Sequence, residues 1–356
     1  MDLVRALAEQ AEACAAMGSP MYADLLTRVV EALEGGAEDG AEDGAVLRTV
    51  LAGHEDAPGP SALGLRLLGS VHRMVLERRA GALAAYYPSV GGTWEPDGGW
   101  RAFVDLLAER PDEVRSWLDR PPQTNEVGRA TALYGGLLQL RVRAGDLPVR
   151  LVEIGSSAGL NLRADHYVYL DDTGRRFGPD DAGLVITGAW QGRPLEPWPG
   201  LRVVERIGSD VMPVDVGSTE GRLALTAYVW PDQTARLERL RAAFRVADSV
   251  PAEVRRAAAG DVVEALTTRP GTLTVLWHSV MWQYLSVEEK TRVLDRLDAL
   301  GAATTADAPL AHLRAEPSRR VEGGPHEFLV RLTTWPGGTE EVLGATVGHG
   351  VPTTWE

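Results

Sequence analysis

Chemistry in this sequence concentrates in Arg150-Leu-Val-Glu153-Ile-Gly155-Ser156-Ser157-Ala-Gly159-Leu-Asn161-Leu. An apolar run ends on a carboxylate, passes through two glycines four apart and becomes apolar again at helical spacing, which predicts strand, tight turn and helix start. Such a turn lies at the carboxyl edge of an open α/β sheet, where backbone N–H groups and a helix N-terminus meet a ligand. Glu153 beside it disfavours phosphate and favours a cationic or hydroxyl-rich ligand. The spacing does not match the dinucleotide Gly-x-Gly-x-x-Gly, and no phosphate-loop Gly-x-x-x-x-Gly-Lys-Ser/Thr is present. Further along, Leu201–Pro213 reads as a strand ending in Gly-x-Asp-x-x-Pro with Asp210, Gly260-Asp261 follows Val254–Ala259, and the strand Leu273–Ser279 ends in His278 and Ser279.

Two known site types share the letters of the turn. Acidic-x-Gly-x-x-x-Gly resembles the first motif of class I S-adenosylmethionine-dependent methyltransferases. That resemblance implies that Glu153 faces the ammonium of the methionine part, Asp210 the ribose hydroxyls and Asp261 the adenine amino group, with Gly155, Ser156, Ser157 and Gly159 forming the cofactor turn. Gly155-Ser-Ser157-Ala-Gly159 also satisfies Gly-x-Ser-x-Gly, the nucleophile elbow of serine hydrolases, with Ser157 as nucleophile. The order of elements favours the first reading, because about 145 residues without a convincing strand precede Leu151, so this strand opens the sheet. In the hydrolase fold the elbow comes after several strands.

The elements that position these residues follow from periodicity. Met1 to about Glu34, broken in two at Gly18-Ser19-Pro20, Leu63 to Ala84, Trp100 to Glu109 and Asp112 to Leu118 carry apolar residues at helical spacing, which predicts an all-helical cap over 1–145. The acidic, glycine-rich repeat Gly36–Gly44 reads as a solvated loop. After Pro121-Pro122, Thr124 or Asn125 can cap a helix running to about Arg143. That helix carries Asn125 and Glu126 and leads into the first strand. Residues 146–356 are expected to form an α/β domain with an inserted hairpin at about 166–200. A helix beginning at Trp230-Pro231, a capping box at Ser286/Glu289 and three final strands, Leu310–Arg314, Glu327–Trp335 and Glu341–Val347, complete it. A mostly parallel sheet closed by an antiparallel hairpin matches the methyltransferase resemblance, whose fold is Rossmann-like.

More narrowly, Gln123-Thr-Asn-Glu126, Gly159-Leu-Asn-Leu162 with Asp165 and Tyr167, Val229-Trp-Pro-Asp-Gln233 and Trp277-His-Ser279 resemble the bacterial domain-of-unknown-function 2332 family. Its members are similar to methyltransferases in fold, and no reaction is assigned to the family as a whole. Strand four ends in Trp-His-Ser where amine methylases often show Asn/Asp-Pro-Pro-Tyr. The reading of the site makes His278 a candidate general base, and Asn125, Glu126, Asn161, Ser279 and Tyr284 candidate substrate contacts, with Trp282 beside Tyr284. His278 as a hydrogen-bonded structural residue, and the aromatic residues as core, are the competing readings. No metal is expected. Alternatives to methyl transfer are a crevice repurposed for elimination or ring closure, and a non-catalytic subunit binding a protein partner through the helical cap.

Composition narrows the partners. The 356 residues carry a formal net charge of −14, with 36 Lys and Arg against 50 Asp and Glu. This balance disfavours a nucleic-acid backbone as ligand and favours a small molecule or a protein. One cysteine, Cys14, allows no internal disulfide and is expected to be a small buried helix residue. No run reaches membrane-spanning length, and Met1–Gln10 lacks a signal-like apolar core, so a cytoplasmic location is the expectation.

Overall fold

The computed structural model describes residues 3–35, 41–56 and 61–356. Among the described residues the chain begins with six α-helices, α1 (Leu3–Ala16), α2 (Pro20–Glu34), α3 (Ala41–Leu51), α4 (Leu63–Leu76), α5 (Pro96–Glu109) and α6 (Pro111–Leu118), and continues with α7 (Ala130–Ala144); α4 stops short of the expected Ala84, which lies in the 3-10 helix Gly81–Tyr86. Strands β1 (Val149–Ile154), β2 (Val168–Leu170), β3 (Arg176–Phe177), β4 (Val185–Ile186), β5 (Trp190–Gly192) and β6 (Val203–Asp210) follow. Then come α8 (Thr219–Ala227), α9 (Thr234–Ser249), β7 (Glu253–Arg256), α10 (Ala259–Glu264), β8 (Leu273–Ser279) and α11 (Val287–Ala302). The chain closes with β9 (Leu310–Ser318), β10 (Glu327–Trp335), β11 (Thr339–Thr346) and β12 (Thr353–Trp355).

Two compact units result, Met1–Thr124 with Thr219–Glu238, and Asn125–Ser218 with Arg239–Glu356. The division falls at Thr124/Asn125, ahead of the expected 145/146, and a later segment returns to the first unit.

The described residues of the first unit are helical and turn-forming. Leu25, Leu26 and Val29 of α2 pack with Leu67, Leu68 and Val71 of α4 and Phe103 of α5, each at helical spacing on one face. Pro20 opens α2 in the position that needs no N–H, and Ser19 caps it by accepting from Tyr22 N. Asp232 reinforces that start by accepting from Ser19 Oγ (2.7 Å) and Met21 N (3.0 Å). The Trp230-Pro231-Asp232-Gln233 stretch is therefore a turn whose carboxylate caps α2, and α9 begins only at Thr234. Of the acidic repeat, residues 36–40 lie outside the described residues. Ala41 to Gly44 open α3 instead of a loop, with Glu42 and Asp43 in the first turn, where carboxylates stabilise a helix N-terminus. Cys14 is buried, as its helical setting implies.

The second unit is α/β, with a mostly parallel sheet of nine strands among the described residues, in the order β5-β12-β11-β10-β9-β8-β1-β6-β7. From β7 to β9 all neighbours are parallel, and β9, β10, β11 and β12 pair antiparallel. All six residues of β1 are buried, which is what an apolar run in the centre of a two-layered sheet requires. Chain order reverses at β1, which lies between β6 and β8, so the crevice beyond the carboxyl ends of β1 and β8 is the topological switch point. The insertion forms a small sheet, β3-β2-β4, in which the two segments expected to form a hairpin, His166–Leu170 and Gly183–Trp190, instead contribute β2 and β4, which pair parallel; the antiparallel partner of β2 is β3, and β5 leaves the sheet to pair with β12.

Strand alternation sorts the two faces. Val152, Ile154 and Leu276 pack with Val293 and Leu297 of α11. Glu153 and Trp277, paired in register, therefore point to the opposite face, where Gly136 of α7 approaches Leu313 of β9. A Cβ on Gly136 would come within 2.5 Å of the Leu313 side chain, so α7 packs closely only because glycine stands there.

Candidate functional site at the carboxyl edge of the sheet

Beyond β1 the chain turns through Gly155 (φ +67°), Ser157 (φ +52°) and Gly159 (φ +68°). A side chain at Gly155 would collide with Met281, 2.8 Å from its Cβ position, so glycine serves both the backbone conformation and this contact. Ser157 holds the left-handed conformation without being glycine, and Val280, just past β8, does the same at φ +51°. Both central strands therefore end in backbone strain, a feature that clusters at functional sites.

The turn is stapled internally. Ser156 N donates to Ser209 O (2.9 Å), Ser157 N to Asp210 Oδ2 (2.9 Å) and Gly159 N to Ser156 O (2.7 Å). Leu160 N donates to Asn125 Oδ1 at 2.8 Å. The expected helix is a 3-10 helix, Leu160–His166, with non-helical dihedrals at Arg163, and Leu160 N is already satisfied. The expectation that unpaired N–H groups await a ligand is therefore corrected: nearby carboxyl and amide oxygens take those of Ser156, Ser157, Gly159 and Leu160.

Asp210 stands at the end of β6, as the sequence indicated, and spends one lone pair on Ser157 N and one on Met212 N (2.8 Å). Beside it Val211 is 62% exposed and Met212 38%, an apolar pair facing solvent. Glu153 is buried with Oε2 lacking a hydrogen-bond partner. Burial pushes its carboxyl up to about 8, while the Trp277 side chain and the Arg163 charge pull it partly back. Asn161 is also buried: Nδ2 donates to Glu126 O (3.2 Å) and Oδ1 has no partner. Glu126 caps the turn Val127–Arg129 through Gly128 N (2.9 Å), and its Oε1 lies 3.4 Å from Arg239 Nη1. Asn125 and Glu126 thus lock the glycine turn in place; they lie ahead of α7 in the α/β unit, not on a cap helix.

On the other face, His278 Nδ1 lies 2.7 Å from Glu316 Oε1, and His278 Nε2 lies 2.9 Å from His312 Nε2. Arg314 Nη1, which can only donate, lies 3.4 Å from His312 Nδ1. This network leaves one proton arrangement: His312 carries hydrogen on Nε2 and donates to His278 Nε2, and His278 donates from Nδ1 to Glu316. Burial, together with the neighbouring His278 and Arg314, drives the His312 pKa well below the ordinary histidine value. At 2.9 Å the two Nε2 atoms are hydrogen-bonded and leave no room for an ion between them. Trp282 stacks on His278 with ring centroids 5.0 Å apart. Glu316 Oε1 also accepts from Met281 N (3.2 Å). His312 and Glu316 were not recognised from the sequence.

The remaining predicted residues separate. Ser279 is buried at the end of β8, and Tyr284 is exposed in the short helix Trp282–Tyr284. Asp261 lies within α10, not in a turn closing a strand, and pairs with Arg292 Nη2 at 3.0 Å. Gly260 N donates to Glu289 Oε1 (2.5 Å), so Gly260-Asp261 joins α10 to α11. Both ring nitrogens of His278 are engaged away from Ser157, which deprives the nucleophile-elbow reading of that base. A cleft of about 340 Å³ lies at the opposite end of the sheet, against Leu273 and Leu310 at the starts of β8 and β9, with Arg143 and Trp335. Its lining includes no carboxylate or histidine.

Fold and site together define an α/β protein with buried polar side chains gathered at the switch point of a mostly parallel sheet. The family described as an uncharacterized protein conserved in bacteria (DUF2332) matches residues 4–355, and the chain belongs to it. No curated protein and no solved structure matches the chain. Among the described residues, no helix is long and apolar enough to cross a membrane.

Proposed function

We propose that the second unit is a Rossmann-like methyltransferase-type domain that binds S-adenosylmethionine or a relative at the switch point and acts on a small molecule. One observation carries this reading. Counted in chain order, the parallel strands β1, β6, β7, β8 and β9 lie as 3-2-1-4-5, with the acidic glycine turn after the central one and Asp210 at the end of its neighbour. That is the order in which doubly wound sheets bind nucleosides.

The residues present suit such a cofactor at two points. Glu153 Oε2 is a buried acceptor without a partner, fit for an ammonium group. Asp210 keeps lone pairs beyond its two N–H bonds for ribose hydroxyls, and Val211 and Met212 offer apolar surface to a planar ring. When bound, the cofactor would supply an electrophilic methyl group. The chain would orient it by these contacts, with Ser279 at the end of β8 bordering the reacting side. Asp261, paired with Arg292 on α10, takes no part in this reading.

Calorimetric titration with S-adenosylmethionine and S-adenosylhomocysteine tests it. Binding should weaken at least tenfold in Glu153→Ala and Asp210→Ala. A cation reaching Glu153 should also lower the pKa of that carboxyl and release a proton, read as a dependence of the heat on buffer ionisation. A folded protein that binds neither compound would sink the proposal. A crevice repurposed for other chemistry is the second reading, favoured by the packing of Met281 against Gly155 and by the internally satisfied turn.

A further inference from the structure

The carboxyl edge carries a second buried carboxyl, on the face away from Glu153. Glu316 Oε1 accepts from His278 Nδ1 and Met281 N, while Oε2 is buried with no partner. With both N–H bonds on one oxygen, the other oxygen is left as the place for a further donor. Ser318, two residues along the same face of β9, has a buried Oγ that is likewise without a partner. Glu316 Oε2 can accept, and the Ser318 hydroxyl can accept or donate. The loop after β8 begins at strained Val280, reaches Glu316 through Met281 N, carries Trp282 stacked on His278, and includes Tyr284, 60% exposed.

The His312–His278 chain gives this arrangement a direction. Each member donates toward Glu316, so no basic nitrogen in it is free to share the load of the carboxylate. The nearby Arg314 guanidinium pairs with Glu340 and reaches His312, not Glu316. What fits is a ligand that brings several N–H donors, a positive charge and an alkyl part suited to an aromatic neighbour. A primary ammonium has all three.

We propose that Glu316, with Ser318 and the Trp282 loop, forms a subsite for a primary amine. Within the functional reading above this is the acceptor substrate's amino group, and only that assignment rests on that reading; the binding itself does not.

Saturation-transfer NMR with n-butylamine, protonated at neutral pH, tests the site on the full chain, with tetramethylammonium as a cation that has no N–H. Butylammonium should bind and tetramethylammonium should not, and Glu316→Gln, which keeps an oxygen for His278 and Met281, should weaken butylammonium at least tenfold. Ser318→Ala, exposed to less folding risk, should weaken it severalfold. Equal binding to the wild type and both variants, or equal binding of the two cations, would overturn the proposal. Titrating the same samples with S-adenosylhomocysteine separates the outcomes. Amine binding without nucleoside binding removes the functional reading alone, and nucleoside binding without amine binding removes the subsite alone.

Discussion

Glu153 and Glu316 stand at the same edge of one sheet, on opposite faces, and both are nearly inaccessible to solvent. Glu153 has an oxygen without a hydrogen-bond partner, and burial pushes its carboxyl up to about 8. Glu316 has one oxygen saturated by an imidazole N–H and a backbone N–H. Burial is common to both, and what differs is where the neighbouring N–H groups go. The donors on the Glu316 side come from the end of β8 and the loop it enters. On the Glu153 side, Leu160 N and Ser157 N are spent on Asn125 and Asp210, and the carboxyl is left without them.

The widest separation should appear when each carboxyl is replaced by leucine. Glu316→Leu leaves His278 Nδ1–H and Met281 N–H buried without an acceptor, and should cost about 3–5 kcal/mol, the range for removing one partner of a buried pair. Glu153→Leu removes a buried carboxyl whose ionisation the fold opposes, and should cost nothing or stabilise the protein near neutral pH. Urea unfolding of the two variants measures both. Equal losses would mean that burial alone sets the cost of a carboxyl here.

Titration draws the same contrast out along pH. Because the fold raises Glu153 from 4.5 to about 8, the folded state holds its proton longer than the unfolded chain. Its contribution is fully present below pH 4.5 and is lost as pH rises through about 8. Relative to Glu153→Gln, the wild type should lose up to about 1.4 kcal/mol per pH unit across that window and level off above it. His312 acts with the opposite sign. Its pKa is lowered in the fold, so its contribution is present above the ordinary histidine value of 6.5 and is lost as pH falls below it. His312→Gln should therefore flatten the acid limb of stability against pH, and Glu153→Gln the neutral and alkaline limb. Unfolding free energies measured from pH 4 to about 9 would show the two limbs, and a wild-type curve unchanged by either substitution would remove the contrast.

Much of the frame was legible in the sequence, and the reason is local. The carboxylate, the two glycines and the renewed apolar spacing are contiguous, so the strand and the turn after it could be read without knowing the sheet. Asp210 and His278 could be placed at strand ends for the same reason. Their partners were not legible, because they are chosen by register between distant strands. Glu316 reaches His278 because β9 pairs with β8 so that Ala315 lies beside Ser279. A signal did exist: His312, Arg314, Glu316 and Ser318 alternate with Ala311, Leu313 and Ala315, a polar face on a strand whose other face is core. Reading that strand only to Arg314 cut the pattern in half. Gly260-Asp261 misled for the converse reason, since a pair found in many turns carries no information until the strand before it is fixed; β7 stops at Arg256 and the pair belongs to a helix.

Asn125 and Asp261 place that lesson in reach of measurement, with the smallest effects. Asn125 is buried and its Oδ1 holds Leu160 N, the first N–H after the glycine turn. Asn125→Ala should cost about 1 kcal/mol, as loss of a helix cap does. It should also speed amide exchange at Leu160, because the freed N–H has no other partner in the turn. Asp261 is largely exposed in its pair with Arg292, which keeps Glu264 and Glu289 as partners. Asp261→Ala should shift stability by no more than about 0.5 kcal/mol, the scale of a surface ion pair. Hydrogen exchange on both variants separates a residue that braces the crevice from one that ties two helices together. Faster exchange at Leu160 in Asp261→Ala, or none in Asn125→Ala, would show that the turn is held by something other than the Asn125 amide.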